Sequence, residues 1–430
     1  MTDILPAVLA DLRAGRHPGV VVDSPPGAGK STLVVRAAIE IAGSGDPLII
    51  VAQTNEQVDD LVVRLAEADP ALPVGRLSAQ DYRVADRIAE LSEVRVAAKV
   101  GELTGSRVII GTAAKLATVT DRTWPWAIVD EAYQMRSDML LRIANRFDRA
   151  LFVGDPGQLD PFSTVDIDRW TGLTWDPMQS AVAVLLRHNP EIPVHRLPVS
   201  WRLPSTAVPL IAAAFYPFAP FDPGTGPGAR KLELGARPDR PSDLDAVLER
   251  AAETGWGLLE LPARHTVRTD AEAARACADL ALRLLERGAR TRCERHRDGT
   301  DLTAERIAIG TAHRDQAAVI RGMLGPAGAG ITVDTANRLQ GREYDVTVVL
   351  HPLSGRRDAS AFHLEAGRLC VLASRHRHAC LVVARAGIPE LLDAYPSTEP
   401  VHLDVPVKFP DGWEANHAVM AHLHATAVPL

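Results

Sequence analysis

Short, almost uninterrupted apolar runs punctuate the first half of this chain. Val20-Val21-Val22, Leu48 to Ala52, Arg107 to Ile110, Ala127 to Val129 and Ala150 to Val153 are rich in β-branched residues. Runs of that length suit strands buried on both faces, as in a parallel sheet. Between them, Leu5 to Leu12, Thr32 to Ile41 and Glu56 to Ala66 carry apolar residues at helical spacing. Strands alternating with helices predict an α/β fold with a parallel sheet.

The pattern repeats further along. Gly257 to Leu261, Arg306 to Ile309, Ile331 to Val333, Val346 to Leu350 and Cys380 to Ala384 read as a second strand set, with an amphipathic helix over Asp270 to Gly288. Two tandem parallel-sheet domains are expected, over 1–195 and 196–395, with the boundary near Pro193 to Pro198. The charged, alanine-rich stretch 81–101 reads as a helical excursion from the first, and Phe215 to Pro241, dense in Pro and Gly, as an irregular connection. The tail over 396–430 shows no readable motif, and its role is left unassigned.

Composition narrows the class. The 430 residues are 46% hydrophobic and 23% charged, ordinary for a globular chain. A net charge of -7 argues against a generally basic surface, so any nucleic-acid track is expected as a local groove. The cysteines Cys277, Cys293, Cys370 and Cys380 form no CxxC pair, so zinc is not expected and free thiols are. The arginine-rich run from Arg292 to Arg297 is interleaved with Glu294 and reads as a solvated loop. The acidic start and Pro6 do not fit a signal peptide, and no apolar run is long enough for a membrane span, so a cytoplasmic protein is expected.

Chemistry concentrates in a few motifs. Ser24-Pro25-Pro26-Gly27-Ala28-Gly29-Lys30-Ser31 follows the P-loop pattern, with Ser24 in place of the first glycine. Gly27, Gly29, Lys30, Ser31 and Thr32 then form a phosphate cradle at a helix N-terminus, with Lys30 reaching the β/γ-phosphates and Ser31 placed for Mg²⁺. Asp130 and Glu131 close an apolar strand, as a Walker B pair does: Asp130 for Mg²⁺, Glu131 for the attacking water. Gly154-Asp155-Pro156-Gly157-Gln158-Leu159, Ser200-Trp201-Arg202, Leu339-Gln340-Gly341-Arg342-Glu343 and Leu372-Ala373-Ser374-Arg375 follow in that order.

Taken in order over Val20 to Leu392, these motifs resemble the superfamily 1 helicases, in the branch typified by the nonsense-mediated-decay RNA helicase. The resemblance implies a P-loop NTPase with two RecA-like domains, hydrolysing ATP or another NTP with Mg²⁺ in the cleft between them. It implies that Gln158 senses the γ-phosphate, that Trp201 stacks on the base, and that Arg202 and Arg375 reach across from the second domain. Gly341, Arg342 and Glu343 would face the nucleotide. Thr54, Asn55, Thr112 and Thr335 would contact a single strand of DNA or RNA, although a polar residue at such places equally caps a helix. The activity implied is a helicase or translocase moving 5′ to 3′, for which a monomer suffices.

The sequence departs from the pattern in places. Residues 1–22 contain no glutamine that could serve as the family's adenine-reading Q motif, so weak discrimination among NTPs is expected. Cys370 and His376 loosen the motif around Arg375. Only a short helix precedes the P-loop, so a core that translocates without unwinding well is expected. A different class, an NTP-driven switch that remodels or docks a protein partner through the tail, remains open on the acidic charge.

Overall fold

The computed structural model describes residues 3–159, 161, 179–395 and 412–427. Eight strands form the first sheet: β1 (Gly19–Asp23), β2 (Leu48–Ala52), β3 (Val74–Leu77), β4 (Val94–Ala97), β5 (Val108–Thr112), β6 (Trp124–Asp130), β7 (Phe147–Gly154) and β8 (Val194–Arg196). They lie all parallel in the order β4-β3-β5-β2-β6-β7-β1-β8. The central runs are apolar throughout because both faces are covered. Val20, Val22, Leu48 and Ile50 meet the helices Lys30–Gly43 and Asn55–Ala68 on one side. Val21, Ile49, Val51 and Val129 pack with Leu116, Ile143 and Val182 on the other.

Register puts the motifs on one edge. Asp23 pairs with Gly154 and Asp130 with Val153, so the P-loop, the acidic pair and the Gly154–Leu159 turn all leave the carboxyl ends of adjacent strands. Such an edge is where open parallel sheets bind ligands.

The second sheet comprises β9 (Trp256–Leu261), β10 (Ile307–Thr311), β11 (Thr332–Thr335), β12 (Tyr344–Leu350) and β13 (His376–Arg385), parallel in the order β9-β13-β12-β10-β11. The two units are the tandem parallel-sheet lobes of a P-loop NTPase of the RecA-like kind. Leu159 of the first unit is buried in the second unit's core with Leu339, Leu369 and Val382.

Several expectations change. Stretch 81–101 is not a helical excursion: it holds one helical turn (Asp86–Ala89) and then the edge strand β4, paired with β3. The Val94-Arg95-Val96 alternation suits a half-covered edge strand and outweighs the alanines around it. The irregular connection contributes Lys231–Glu233, which pairs antiparallel with Arg290–Arg292, itself paired with Thr300–Asp301. The unread tail contains the helix Gly412–Thr426, whose Ala415, Val419, Met420 and Leu423 are buried against β9 and its neighbours. Trp413 Nε1 donates to Leu392 O at 2.7 Å, anchoring its start. Residues 396–411 lie outside the described residues. Cys277, Cys293, Cys370 and Cys380 are all free and buried, and no group of three or more potential metal ligands among His, Cys, Asp and Glu occurs among the described residues.

Candidate nucleotide cleft

A cleft of about 1410 Å³ opens between the two sheets. Gly27, Gly29, Lys30, Ser31, Thr32, Asp130, Glu131 and Gln158 line it from the first sheet, Gly341, Arg342, Glu343 and Arg375 from the second, and Arg202 from the segment that joins them. Nine Lys or Arg side chains face seven carboxylates there, so the cleft is locally basic in an acidic protein.

The P-loop is held at both ends. Ser24 N donates to Gly154 O at 2.8 Å, and Gly29, at φ 96°, caps the Lys30–Gly43 helix. Gly27, at φ 71°, passes so close to Arg202 that any Cβ there would overlap Arg202 Cβ. The resulting loop ends at a helix N-terminus, whose first amides have no partner within the helix, the arrangement that attracts a polyphosphate.

Lys30 Nζ lies 3.4 Å from Asp130 Oδ1 and pairs more tightly with Glu131 Oε1. Burial works against the ammonium charge, but Asp130 and Glu131 outweigh it and raise the Lys30 pKa. Burial raises the Glu131 pKa, opposed chiefly by Lys30. Glu131 is also the one non-glycine among the described residues with a left-handed backbone, at φ 51°. That conformation is uncommon for a long side chain and clusters at functional sites. Its carboxylate is steered further by Gln134, whose Nε2 donates to Glu131 Oε2 at 3.1 Å.

Asp155 is buried and organises the next turn. It accepts from Tyr216 Oη at 2.7 Å, from Gly157 N at 2.9 Å, and from Gln158 Nε2. Burial raises its pKa despite these donors. Thus fixed, Gln158 offers Oε1 to Gln340 Nε2 of the second lobe at 2.9 Å.

Arg202, expected to reach across from the second lobe, directly precedes Leu203, which is buried in that lobe's core. It sits on the connection between the sheets, which is docked on the P-loop: Trp201 N donates to Gly27 O at 2.9 Å and Ser200 Oγ to Pro26 O at 2.6 Å. Its own Nε meets Glu343 Oε2 at 3.3 Å. Trp201 is 42% exposed, lies against Gly224, and is not among the cleft-lining residues. Arg375 is 1% exposed, its Nε donating to Val371 O and one terminal nitrogen to Ser374 Oγ, both at 3.1 Å. The other terminal nitrogen has no hydrogen-bond partner among the described residues. Burial, then the nearby Arg202, pushes the Arg375 pKa down to about 10, which still leaves a full charge at neutral pH.

Arg342 and Glu343, expected at the nucleotide, are engaged in ion pairs. Arg342 reaches Glu56 of the first lobe at 2.7 Å, and Glu343 meets Arg377 at 2.7 Å as well as Arg202. Burial opposes the Glu343 charge, but Arg202 and Arg377 outweigh it and lower its pKa. Gly341 lies at φ 81° with open space around it.

The four expected strand contacts separate. Thr54 and Thr335 line the cleft, whereas Asn55 and Thr112 do not. Thr54 caps the Asn55–Ala68 helix through a reciprocal bond with Gln57, and Thr112 caps Ala113–Leu116 through Lys115 N. Asn55 Oδ1 accepts from the buried Arg76 at 3.1 Å. Thr335 makes no side-chain cap. The sequence reading missed Tyr216, Arg377 and Arg230, which brace Asp155, Glu343 and the Trp201-Arg202 carbonyls respectively. Arg377, two residues beyond Arg375, was the one with a local signal.

Residues 261–387 match the family model described as an AAA domain (AAA_12). That is under a third of the chain. No curated protein matches this sequence. Among solved structures, the chain is similar to an Arterivirus nonstructural protein 10 helicase in complex with DNA, at 14% identity and a TM-score of 0.47, over 87% of this chain and 62% of that one. It is also similar to the PRRSV helicase, at 14% identity and a TM-score of 0.45, over 88% of this chain and 54% of that one. This chain therefore spans less than two thirds of either relative.

Proposed function

We propose that this chain is an NTP-driven motor that hydrolyses ATP, and other NTPs with little discrimination, in the cleft between its lobes while moving along single-stranded DNA or RNA. The observation that carries the reading is the pairing of a phosphate cradle on one lobe with the buried, incompletely bonded Arg375 guanidinium on the other. Phosphoryl transfer asks for positioning and positive charge around the transferred group, and Lys30, Arg202 and Arg375 supply it from three segments.

Ser31 and Asp130 are the donors suited to Mg²⁺, which would screen the phosphates when bound. Glu131, aimed by its left-handed backbone and by Gln134, would orient the attacking water. Trp201 is exposed beside Gly27 and would offer a π face to any base, consistent with weak NTP selectivity. Thr54 and Thr335 share the cleft with the phosphate cradle, which supports a strand track there. Movement from 5′ to 3′ belongs to this reading through the resemblance to one branch of the superfamily 1 helicases. No helix among the described residues is long and apolar enough to cross a membrane. We infer a cytoplasmic motor that works as a monomer, since one chain supplies both walls of the cleft.

Steady-state NTP hydrolysis with and without single-stranded DNA or RNA, against Lys30→Ala, tests the reading. Stimulation by an oligonucleotide supports the motor and identifies its track. Hydrolysis indifferent to both would move the assignment to a nucleotide-driven switch acting on a protein partner.

A further inference from the structure

Arg230 lies in the Pro/Gly-rich connection, outside every motif, yet its side chain is only 4% exposed. One terminal nitrogen donates to Trp201 O at 2.6 Å and the other to Arg202 O. Its Nε faces the Glu294 carboxylate at 3.2 and 3.3 Å. All three guanidinium nitrogens are thus engaged, two of them by the carbonyls of consecutive residues. The planar fork of arginine suits such a two-point grip, and an ammonium cannot reproduce it.

What Arg230 grips is already held from the other side. Ser200 Oγ and Trp201 N bind the Pro26 and Gly27 carbonyls of the P-loop, and Arg202 Cβ fills the space above Gly27. The Ser200–Arg202 turn is therefore clamped between the phosphate cradle and Arg230. Arg230 in turn is carried beside Lys231–Glu233, whose antiparallel partner Arg290–Arg292 leads directly into Glu294. Burial and the neighbouring Arg377 both work against the Arg230 charge, and Glu294 offsets part of this.

We infer that Arg230 is a positioning residue that fixes the Trp201 and Arg202 carbonyls, with the small antiparallel ribbon as its strut, and so aims Arg202 at the transferred phosphate. The assignment rests on the reading of the cleft as an NTP-hydrolysing site.

The test is a kinetic cycle on the full chain with Mg-ATP and saturating single-stranded oligonucleotide, comparing Arg230→Ala, Arg230→Lys, Arg202→Ala and the Arg202→Ala/Arg230→Ala pair. Arg230→Ala should lower kcat by roughly 10- to 100-fold with little change in KM, the effect of misplacing a catalytic group by about an ångström. Arg230→Lys, which keeps the charge and most of the stem, should fold as the parent does and still lose turnover. The double variant should be no slower than Arg202→Ala alone, because the two residues act as a unit. Losses that multiply in the double variant, or an Arg230→Lys protein with parental turnover, would overturn the positioning role while leaving the motor intact. Absence of hydrolysis in the unsubstituted protein would overturn both.

Discussion

Gln340 Nε2 donates to Gln158 Oε1 at 2.9 Å, joining the lobes through two amides that stand 182 residues apart in the chain. Gln158 is itself tied to Asp155 beside the Lys30–Glu131 pair, so the bond is well placed to register what occupies the cleft. A neutral hydrogen bond of this kind contributes about 0.5–1.5 kcal/mol net, a factor of roughly 2 to 10 in a two-state balance. Gln340→Ala should therefore cut oligonucleotide stimulation of hydrolysis by that factor and spare the basal rate. Unchanged stimulation would make the bond incidental.

Arg375→Ala should cost ~10³-fold or more in kcat, as loss of an arginine finger does. Arg375→Lys should restore little, since an ammonium cannot hold Val371 O, Ser374 Oγ and a phosphate together. Circular dichroism of both variants separates this loss from misfolding. Near-parental turnover in either would assign Arg375 to the core alone.

The threonines predict opposite outcomes. Thr54→Ala should lower stability by about 1 kcal/mol through its lost cap, with Thr54→Ser recovering most of it. Thr335→Val, which breaks no cap bond, should leave the melting temperature in place and weaken oligonucleotide binding measured by fluorescence anisotropy.

Acid should weaken the second lobe. Asp245 is fully buried, and although burial opposes its charge, Arg283, Ser242 and Arg287 hold its pKa well below 3.8. A depressed carboxylate stabilises the fold above its unfolded pKa, and that contribution is lost as pH falls below about 4. Asp245→Asn should cost on the order of 3 kcal/mol near neutrality. The thermal-unfolding curves of variant and parent should draw together as pH drops toward 3. A constant gap would mean that the ion pairs are not the source.

Leu423, fully buried on the Gly412–Thr426 helix, should destabilise the protein by about 2–5 kcal/mol when replaced by alanine. Chemical denaturation measures this, and kcat at permissive temperature should be unaffected. A neutral effect would restore the tail as a candidate docking segment.

The P-loop half of the cleft was legible because its motifs are local. Lys30, Asp130, Glu131 and Gln158 sit in short motifs at strand ends, and parallel register carries them to one edge. What the sequence hid is pairing at a distance. Nothing near Glu56 announces Arg342, and nothing near Asp155 announces Tyr216. Thr54 and Thr112 were expected at a strand, and the structure shows their hydroxyls capping helices, a pairing that residue type alone does not announce. The final helix did leave a trace: Ala415, Val419 and Leu423 recur every four residues, and only the intervening histidines obscured it.

That helix has a consequence for how the chain is made. Strand β9 pairs with β13 and is covered by residues 412–426, so the second lobe's core stays open until those residues have been synthesised. The first sheet draws all its strands from the chain up to Arg196 and can close earlier during vectorial synthesis. At ordinary elongation rates, the interval from β9 to that helix lasts roughly ten seconds or more. For that interval the nascent protein displays a finished P-loop beside an unfinished, apolar neighbour, and chaperones have reason to meet it there.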